Sequence, residues 1–205
     1  MELTLDPKQR YSYADYLTWF DDKRRELFDG FISLMSPAPV SVHAAINAVI
    51  FAEVYNHLKK CKCGCKIFTA PFDVRLPKNG EKEHKDIFTV VQPDICVICD
   101  LSKIDKRGCL GAPDMIVEIL SPSTTKKDYT IKYDLYEKAG VKEYWIVSPE
   151  AQYVEIFLLQ EDGKYAEGII YEEKDSPNEI NKIPVGILPE LEIDFNDIFA
   201  NSRNG

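Results

Sequence analysis

The sequence holds no apolar run long enough to span a bilayer, which excludes a membrane-spanning helix. Nor is a leader expected. MELTLDPKQR carries acids, no apolar stretch and no small-residue cleavage site, so a cytoplasmic protein is expected. Positive charge is scarce: the formal net charge is -9, which rules out a protein that coats polyanions over its whole surface. A local basic patch beside an acidic, cation-loaded site stays open, because a bound cation inverts the local field. The clustered cysteines lack the C-x2-4-C pairing of structural zinc sites as well. Cys61, Cys63 and Cys65 run as C-x-C-x-C. His57, one helical turn earlier, keeps a metal reading beside the plainer one of free thiols at a helix end. Cys96 and Cys99 form C-x-x-C inside the strand-like PDICVIC. That spacing puts them on opposite faces, as small buried apolar residues rather than a redox pair. Repeats, low-complexity tracts and linkers are also absent. What is there, 45% hydrophobic and 29% charged residues over 205 positions, is a folded composition with room for a core. One domain over residues 1–205 is expected.

The patterning mixes strands with a few helices. YSYADYLTWFDDKR reads as a short helix capped by Ser12. RELFDGFISLMSP gives two short runs around Asp29-Gly30, a hairpin signal, ended by Pro37 and Pro39. SVHAAINAVIFAEVYNHLKK has the spacing of a long helix. KIFTAPFDVRL and DIFTVVQPDICVICD are strand-like, the second broken at Pro93, and LSKIDKRGCLGA is a turn-rich connector. The strand Met115 to Leu120 leads into SPSTTKKDYTIKYDLYEKAG, a helix with Ser123 or Thr124 as cap and Gly140 as stop. Its inner stripe carries Leu135 and Ala139. VKEYWIVSP and YVEIFLLQ make a hairpin about PEAQ. A further strand and a short terminal helix follow. The class is α/β (α+β) around a central mixed β-sheet flanked by helices.

Chemistry concentrates on two strands, each opened by a Pro-Asp pair, Pro93-Asp94 and Pro113-Asp114. Alternation puts Asp94, Cys96, Ile98 and Asp100 on one face, and Asp114, Ile116, Glu118 and Leu120 on one face of the next strand. Asp114 and Glu118 lie roughly 13 Å apart along a strand, too far to share an ion. Antiparallel pairing would instead bring Asp94 to Glu118 and Asp114 to Asp100. Two carboxylates side by side repel. A divalent cation makes them tolerable, and magnesium suits one or two carboxylates plus waters and phosphate oxygens. Lys132, on or near the helix face of Leu135 and Ala139, aims an ammonium inward toward Glu118.

These pieces resemble the PD-(D/E)XK nuclease superfamily, and more closely the bacterial Uma family of restriction-endonuclease-like proteins. The matching segments are RRELFDGFISLMSPAPVSVH, VQPDICVICD, APDMIVEILSPST, then Asp128, Lys132, Tyr136 and GVKEYWIVSP, with GILPELEIDFNDIF in the tail. The resemblance implies a restriction-endonuclease-like core, Mg2+ or Mn2+, hydrolysis of phosphodiester bonds in nucleic acid, DNA first, and a homodimer. It makes Asp94 the motif aspartate and Glu118 the second acid. The superfamily's lysine belongs two residues after that acid, where this sequence has Leu120; Lys132 would be its migrated substitute. Glu26 would add a metal or water ligand, and His43, Lys126 and Lys127 would contact phosphate. Each residue has a plainer alternative. Glu118 and Lys132 read equally as a buried ion pair, Asp94 as a turn residue and Glu26 as an exposed acid. His43 reads as a helix-start residue, Lys126 and Lys127 as a solvated helix start, and Asp128 as support for the first helical turn. Tyr144 and Trp145 read as core. A non-catalytic interaction or nucleic-acid-binding module on the same fold, or a hydrolase of another phosphorylated substrate, stands beside the nuclease.

Overall fold

The computed structural model describes residues 4–35, 40–173 and 181–200. It begins with one helical turn, α1 (Tyr13–Tyr16), and a hairpin of β1 (Arg25–Phe28) and β2 (Phe31–Leu34). Ser12 caps α1 through a capping box with Asp15, and the expected helix is only that turn. Asp29 and Gly30, at φ 52° and 87°, supply the two positive-φ positions of a tight hairpin turn. The expected stop at Pro37 and Pro39 lies outside the described residues. The long helix is α2 (Ser41–Cys61), with Ile46, Ile50 and Val54 buried at helical spacing. Short strands follow: β3 (Lys66–Thr69), β4 (Val74–Arg75), β5 (Val90–Val91), β6 (Ile95–Ile98), β7 (Ile104–Asp105), β8 (Gly108–Leu110) and β9 (Met115–Ile119). Next come α3 (Thr125–Lys127), a π-helical stretch Asp128–Lys132 and α4 (Tyr133–Ala139). The order closes with β10 (Glu143–Ser148), β11 (Tyr153–Leu158), β12 (Ile169–Glu172), β13 (Lys182–Pro184), β14 (Glu192–Asp194) and α5 (Phe195–Phe199).

The described strands form two six-stranded mixed sheets, β2-β1-β5-β4-β8-β7 and β12-β11-β10-β9-β6-β3, and a β13-β14 ribbon. The sequence pattern predicts one sheet; two form because two strand-like stretches each split. KIFTAPFDVRL becomes β3 in the second sheet and β4 in the first. DIFTVVQPDICVICD becomes β5 in the first and β6 in the second. Pro71 and Pro93, which have no N–H for a ladder, lie in the two breaks. The connector LSKIDKRGCLGA carries the β7-β8 hairpin. Gly108 sits in it at φ +127°, where a Cβ would collide with the Asp73 carbonyl. Gly108→Ala is expected to cost about 2 kcal/mol or more. A urea melt checks this, and an unchanged midpoint would mean that the hairpin adjusts.

In the second sheet β9 runs parallel to β10, joined by the helical crossover, and antiparallel to β6. Every residue of β9 and β10 is buried, as befits strands covered on both faces. On one face Val117 and Ile119 pack with Ile46 and Ile50 of α2 and with Phe195 and Ile198 of α5. On the other, Ile116 and Leu120 pack with Tyr136 and Tyr144. Alternation turns Glu118 to this second face, beneath the crossover. Tyr144 and Trp145 are fully buried core residues. No helix among the described residues is long and apolar enough to cross a membrane.

The cysteines correct the sequence reading. Cys61 is bonded to Cys63 and Cys65 to Cys99, so the three clustered cysteines are neither free thiols nor sulfur ligands here. Cys96 is free and buried, whereas Cys99 is not the plain apolar residue expected. The two do face opposite cores. Lys66 stands opposite Ile98 in the β3–β6 ladder, so residues 65 and 99 meet one step further on. That non-local pairing leaves no trace in local spacing.

Candidate active site

Ile95 pairs with Val117 and Cys96 with Ile116, so one further step of register sets Asp94 opposite Glu118. The Asp94 main-chain carbonyl accepts from Asn47 Nδ2 (3.2 Å), Thr69 Oγ1 (2.9 Å) and the Ala70 N–H (3.2 Å). Its carboxylate Oδ2 accepts from the Ile119 N–H at 2.8 Å and lies 3.2 Å from His43 Nε2 on the first turn of α2. Asp114 does not meet Asp100. Its Oδ2 accepts from the Cys99 N–H and its Oδ1 from Lys142 Nζ, both at 2.7 Å, which makes it a structural acid. Asp100 instead caps a short turn through the Ser102 N–H.

Lys132 reaches the second acid. Its Nζ lies 2.8 Å from Glu118 Oε1, 3.3 Å from Glu26 Oε1 and 3.6 Å from Asp128 Oδ1. Tyr136 Oη donates to the same Glu118 Oε1 at 2.7 Å. Asp128, Lys132 and Tyr136 follow at intervals of four, so a helical run stacks all three over β9. The π-helical stretch ends at Lys132, the kind of local widening often found where a helix serves a site. Asp128 therefore belongs to this cluster and not to a helix cap; Thr124 holds the N-cap position but gives no side-chain cap bond. Glu26 comes from the first sheet and is 1% exposed, not the exposed acid that its sequence position allows. It accepts from the Gln92 N–H and lies 3.7 Å from Lys127 Nζ. The position two after Glu118 holds Leu120, whose side chain is packed in the core.

Burial pushes the Glu118 carboxyl well above the usual range, opposed by Lys132 and reinforced by Asp128, Asp94 and Glu26. Burial likewise raises Asp128. Lys132 is the mirror case. Burial acts to lower its pKa, but Glu118, Glu26 and Asp128 outweigh that and keep the ammonium charged. Burial also acts to lower the His43 pKa, and the bond and charge of Asp94 reverse it into a net rise.

The cluster forms part of the wall of a cavity of about 1130 Å³, which also takes in His43, Lys127, Arg24, Gln92 and the β10–β11 turn. Lys126 is exposed and is not among the lining residues. A smaller hollow of about 340 Å³ between α2 and the β14 region holds His57 and Glu190 but none of the cluster. Sequence reasoning missed Asn47, Thr69, Gln92 and Arg24. Asn47 lies four after His43 on α2, a helical spacing that would have found it. Gln92 lies two before Asp94, at the passage between sheets, and bonds Arg24, Tyr16 and Asp73. No local pattern signals that role.

A bound cation is testable against these side chains. Three carboxylates (Glu26, Asp94 and Glu118) and two lysines (Lys127 and Lys132) line one cavity, and Asp128 lies behind Lys132. Two buried polar atoms, His43 Nδ1 and Asp128 Oδ1, have no hydrogen-bond partner. Among the described residues no three His, Cys, Asp or Glu side chains are gathered to hold a metal by themselves. The residues fit the sparser arrangement that magnesium accepts, one or two carboxylates completed by water and phosphate oxygens.

Comparison with known proteins bears on the fold and the family. A solved structure described as a "putative nuclease belonging to DUF820" from Anabaena variabilis ATCC 29413 superposes with a TM-score of 0.70 at 20% identity, covering 94% of this chain and 99% of that one. At that identity the likeness shows the fold. A Synechocystis sp. PCC 6803 protein named "Uncharacterized protein slr1290" is 26% identical over 162 residues, 78% of this chain and 80% of that protein. The model of the family Uma2, described as "Putative restriction endonuclease", matches residues 13–192, and the chain belongs to that family.

Proposed function

We propose that the protein is a metal-dependent endonuclease that hydrolyses phosphodiester bonds in nucleic acid, with DNA as the substrate. The observation that carries this reading is the Lys132 ammonium 2.8 Å from Glu118, itself opposite Asp94, in the wall of an open cavity. Mg2+ or Mn2+ held by Asp94 and Glu118, with Glu26 beside them, would supply an activated water and polarise the scissile phosphate. The chain's own residues do the rest. Lys132 stays charged and stabilises negative charge as it builds on the phosphate oxygens. Lys127, partly exposed at the cavity, offers a second cation for phosphate. His43 fixes the Asp94 carboxylate through Nε2. Tyr136 donates to Glu118 and holds it in one rotamer. The test is cleavage of plasmid and of synthetic oligonucleotides in magnesium, manganese or EDTA. Cutting that needs the metal supports the reading; no cutting of any substrate with either metal refutes it.

A non-catalytic module on the same fold has one observation in its favour. Lys132 bridges Glu118, Glu26 and Asp128, and the bridging ammonium neutralises charge that a metal would otherwise take up. This reading expects no rise in thermal stability with magnesium, whereas the nuclease reading expects one.

A further inference from the structure

We infer that the site takes single-stranded DNA, with Tyr153 as the platform for a base beside the scissile phosphate; this rests on the hydrolase reading above. The first ground is depth. Glu118 and Lys132 are each 4% exposed, and Glu26 and Asp128 1%. A stacked duplex is a stiff rod whose phosphates stay on its rim. A flexible strand bends to bring a phosphate down to those side chains more readily than a duplex does. The second ground is charge. The chain carries -9 overall, and the cavity wall holds four acids (Glu26, Asp94, Glu118 and Glu150) against Arg24, Lys127 and Lys132, so no broad basic track follows a duplex backbone. Binding must then come from elsewhere, and stacking on an aromatic ring supplies it for unpaired bases.

Tyr153 is built for that purpose. It lines the same cavity as Glu118, at the start of β11 and opposite Ser148. Its hydroxyl is 2.9 Å from that of Tyr129, which donates to Glu155 Oε2 at 2.6 Å. This chain of phenols pins the ring, so little freedom is lost when a base stacks on it. Ile146 stands opposite Glu118 across β9 and β10. Ser148 lies two residues further along β10, and Tyr153 is one strand beyond. From strand geometry the two positions are roughly 12 Å apart in the plane of the sheet. That is the reach from a phosphate to a neighbouring base. Glu150, on the intervening turn, lines the cavity as well and can accept hydrogen bonds from a base's exocyclic amine. One centre per chain suffices for a single strand.

The test measures binding of a fluorescein-labelled DNA oligonucleotide, single-stranded or annealed, in EDTA, and cleavage of both in magnesium. The parent, Tyr153→Ala and Tyr153→Phe are compared, each first shown to melt cooperatively. The single strand should bind at least tenfold tighter than the duplex. Tyr153→Ala should weaken single-strand binding about tenfold or more, and Tyr153→Phe, which keeps the ring but loses the hydroxyl that pins it, should fall between Tyr153→Ala and the parent. Glu118-dependent cutting of duplex at equal or higher rate would overturn the single-strand inference while leaving the hydrolase reading intact. Tyr153-dependent binding of the single strand without cutting by any metal would keep the platform and overturn the hydrolase. Unchanged binding in Tyr153→Ala would overturn the platform.

Discussion

Lys132→Met will melt about 10 °C below the parent at pH 7.5, and the gap will narrow as the pH falls toward 5. Removing the ammonium leaves Glu118, Glu26 and Asp128 facing one another without their shared cation. Stripping one partner from a buried ion cluster costs roughly 3–5 kcal/mol, and a chain of this size loses roughly 2–4 °C per kcal/mol. The sign with pH follows from the carboxyls. Burial raises Glu118 and Asp128 in the folded protein even with Lys132 in place, and without it they rise further. A carboxyl raised on folding favours the folded state while it is protonated. That support is lost as pH climbs from the unfolded value through the folded one, so acidification restores stability to the variant. In the parent, the raised Lys132 works in the opposite range. Its contribution is complete below the ordinary lysine value and fades only as strongly alkaline pH deprotonates it. Thermal melts of both proteins from pH 5 to pH 8 check the claim, and a gap of constant size would rule out charge as its cause. Magnesium should raise the melting temperature of the variant more than that of the parent, since a divalent cation can take the ammonium's place.

Glu118→Gln will lower single-turnover cleavage by about 10³-fold or more while leaving the fold in place. The amide keeps the shape and an oxygen for Tyr136 but carries no charge, so it neither holds a cation firmly nor fixes Lys132 as an ion. Because burial disfavours the charged carboxylate and Glu26 and Asp128 remain beside Lys132, neutralising Glu118 should cost less stability than removing the ammonium does. On the proposed reading the loss should fall in kcat rather than KM, because Glu118 would serve the reacting phosphate and not the rest of the strand. Parent-like cleavage by Glu118→Gln would remove Glu118 from the chemistry. A collapse in stability equal to the loss of activity would instead favour a purely structural cluster.

Much of this site was legible because its residues follow local periods. Asp94 and Glu118 fall on one face by the two-residue alternation, and Lys132 and Tyr136 fall on one face by helical spacing. Glu26 was legible only as a resemblance, because its burial depends on the first sheet closing over the helical crossover. Asp128 was misjudged for a related reason: a helix-start acid and a cluster acid look alike until the π-helical stretch turns the side chain inward. The split into two sheets and the Cys65–Cys99 bond depend on which strands pair at long range, and that information is spread over the whole chain. The turn-rich stretch around Gly108 reads as a connector because its strands are two and three residues long.

The passage of the chain between sheets at Gln92, Pro93 and Asp94 has a mechanical consequence. Glu26 is carried by one plate, Asp94 and Glu118 by the other, and Lys132 is the shim between them. With a lever arm of roughly 10 Å, the spacing of packed layers, a dihedral change of about 3° between the plates moves a side chain by about 0.5 Å. That is the whole tolerance of a preorganised site. The cavity is thus a gauge of the angle between two plates. Core substitutions far from it, in the Tyr136–Tyr144 layer for example, should silence the chemistry well before they loosen the fold.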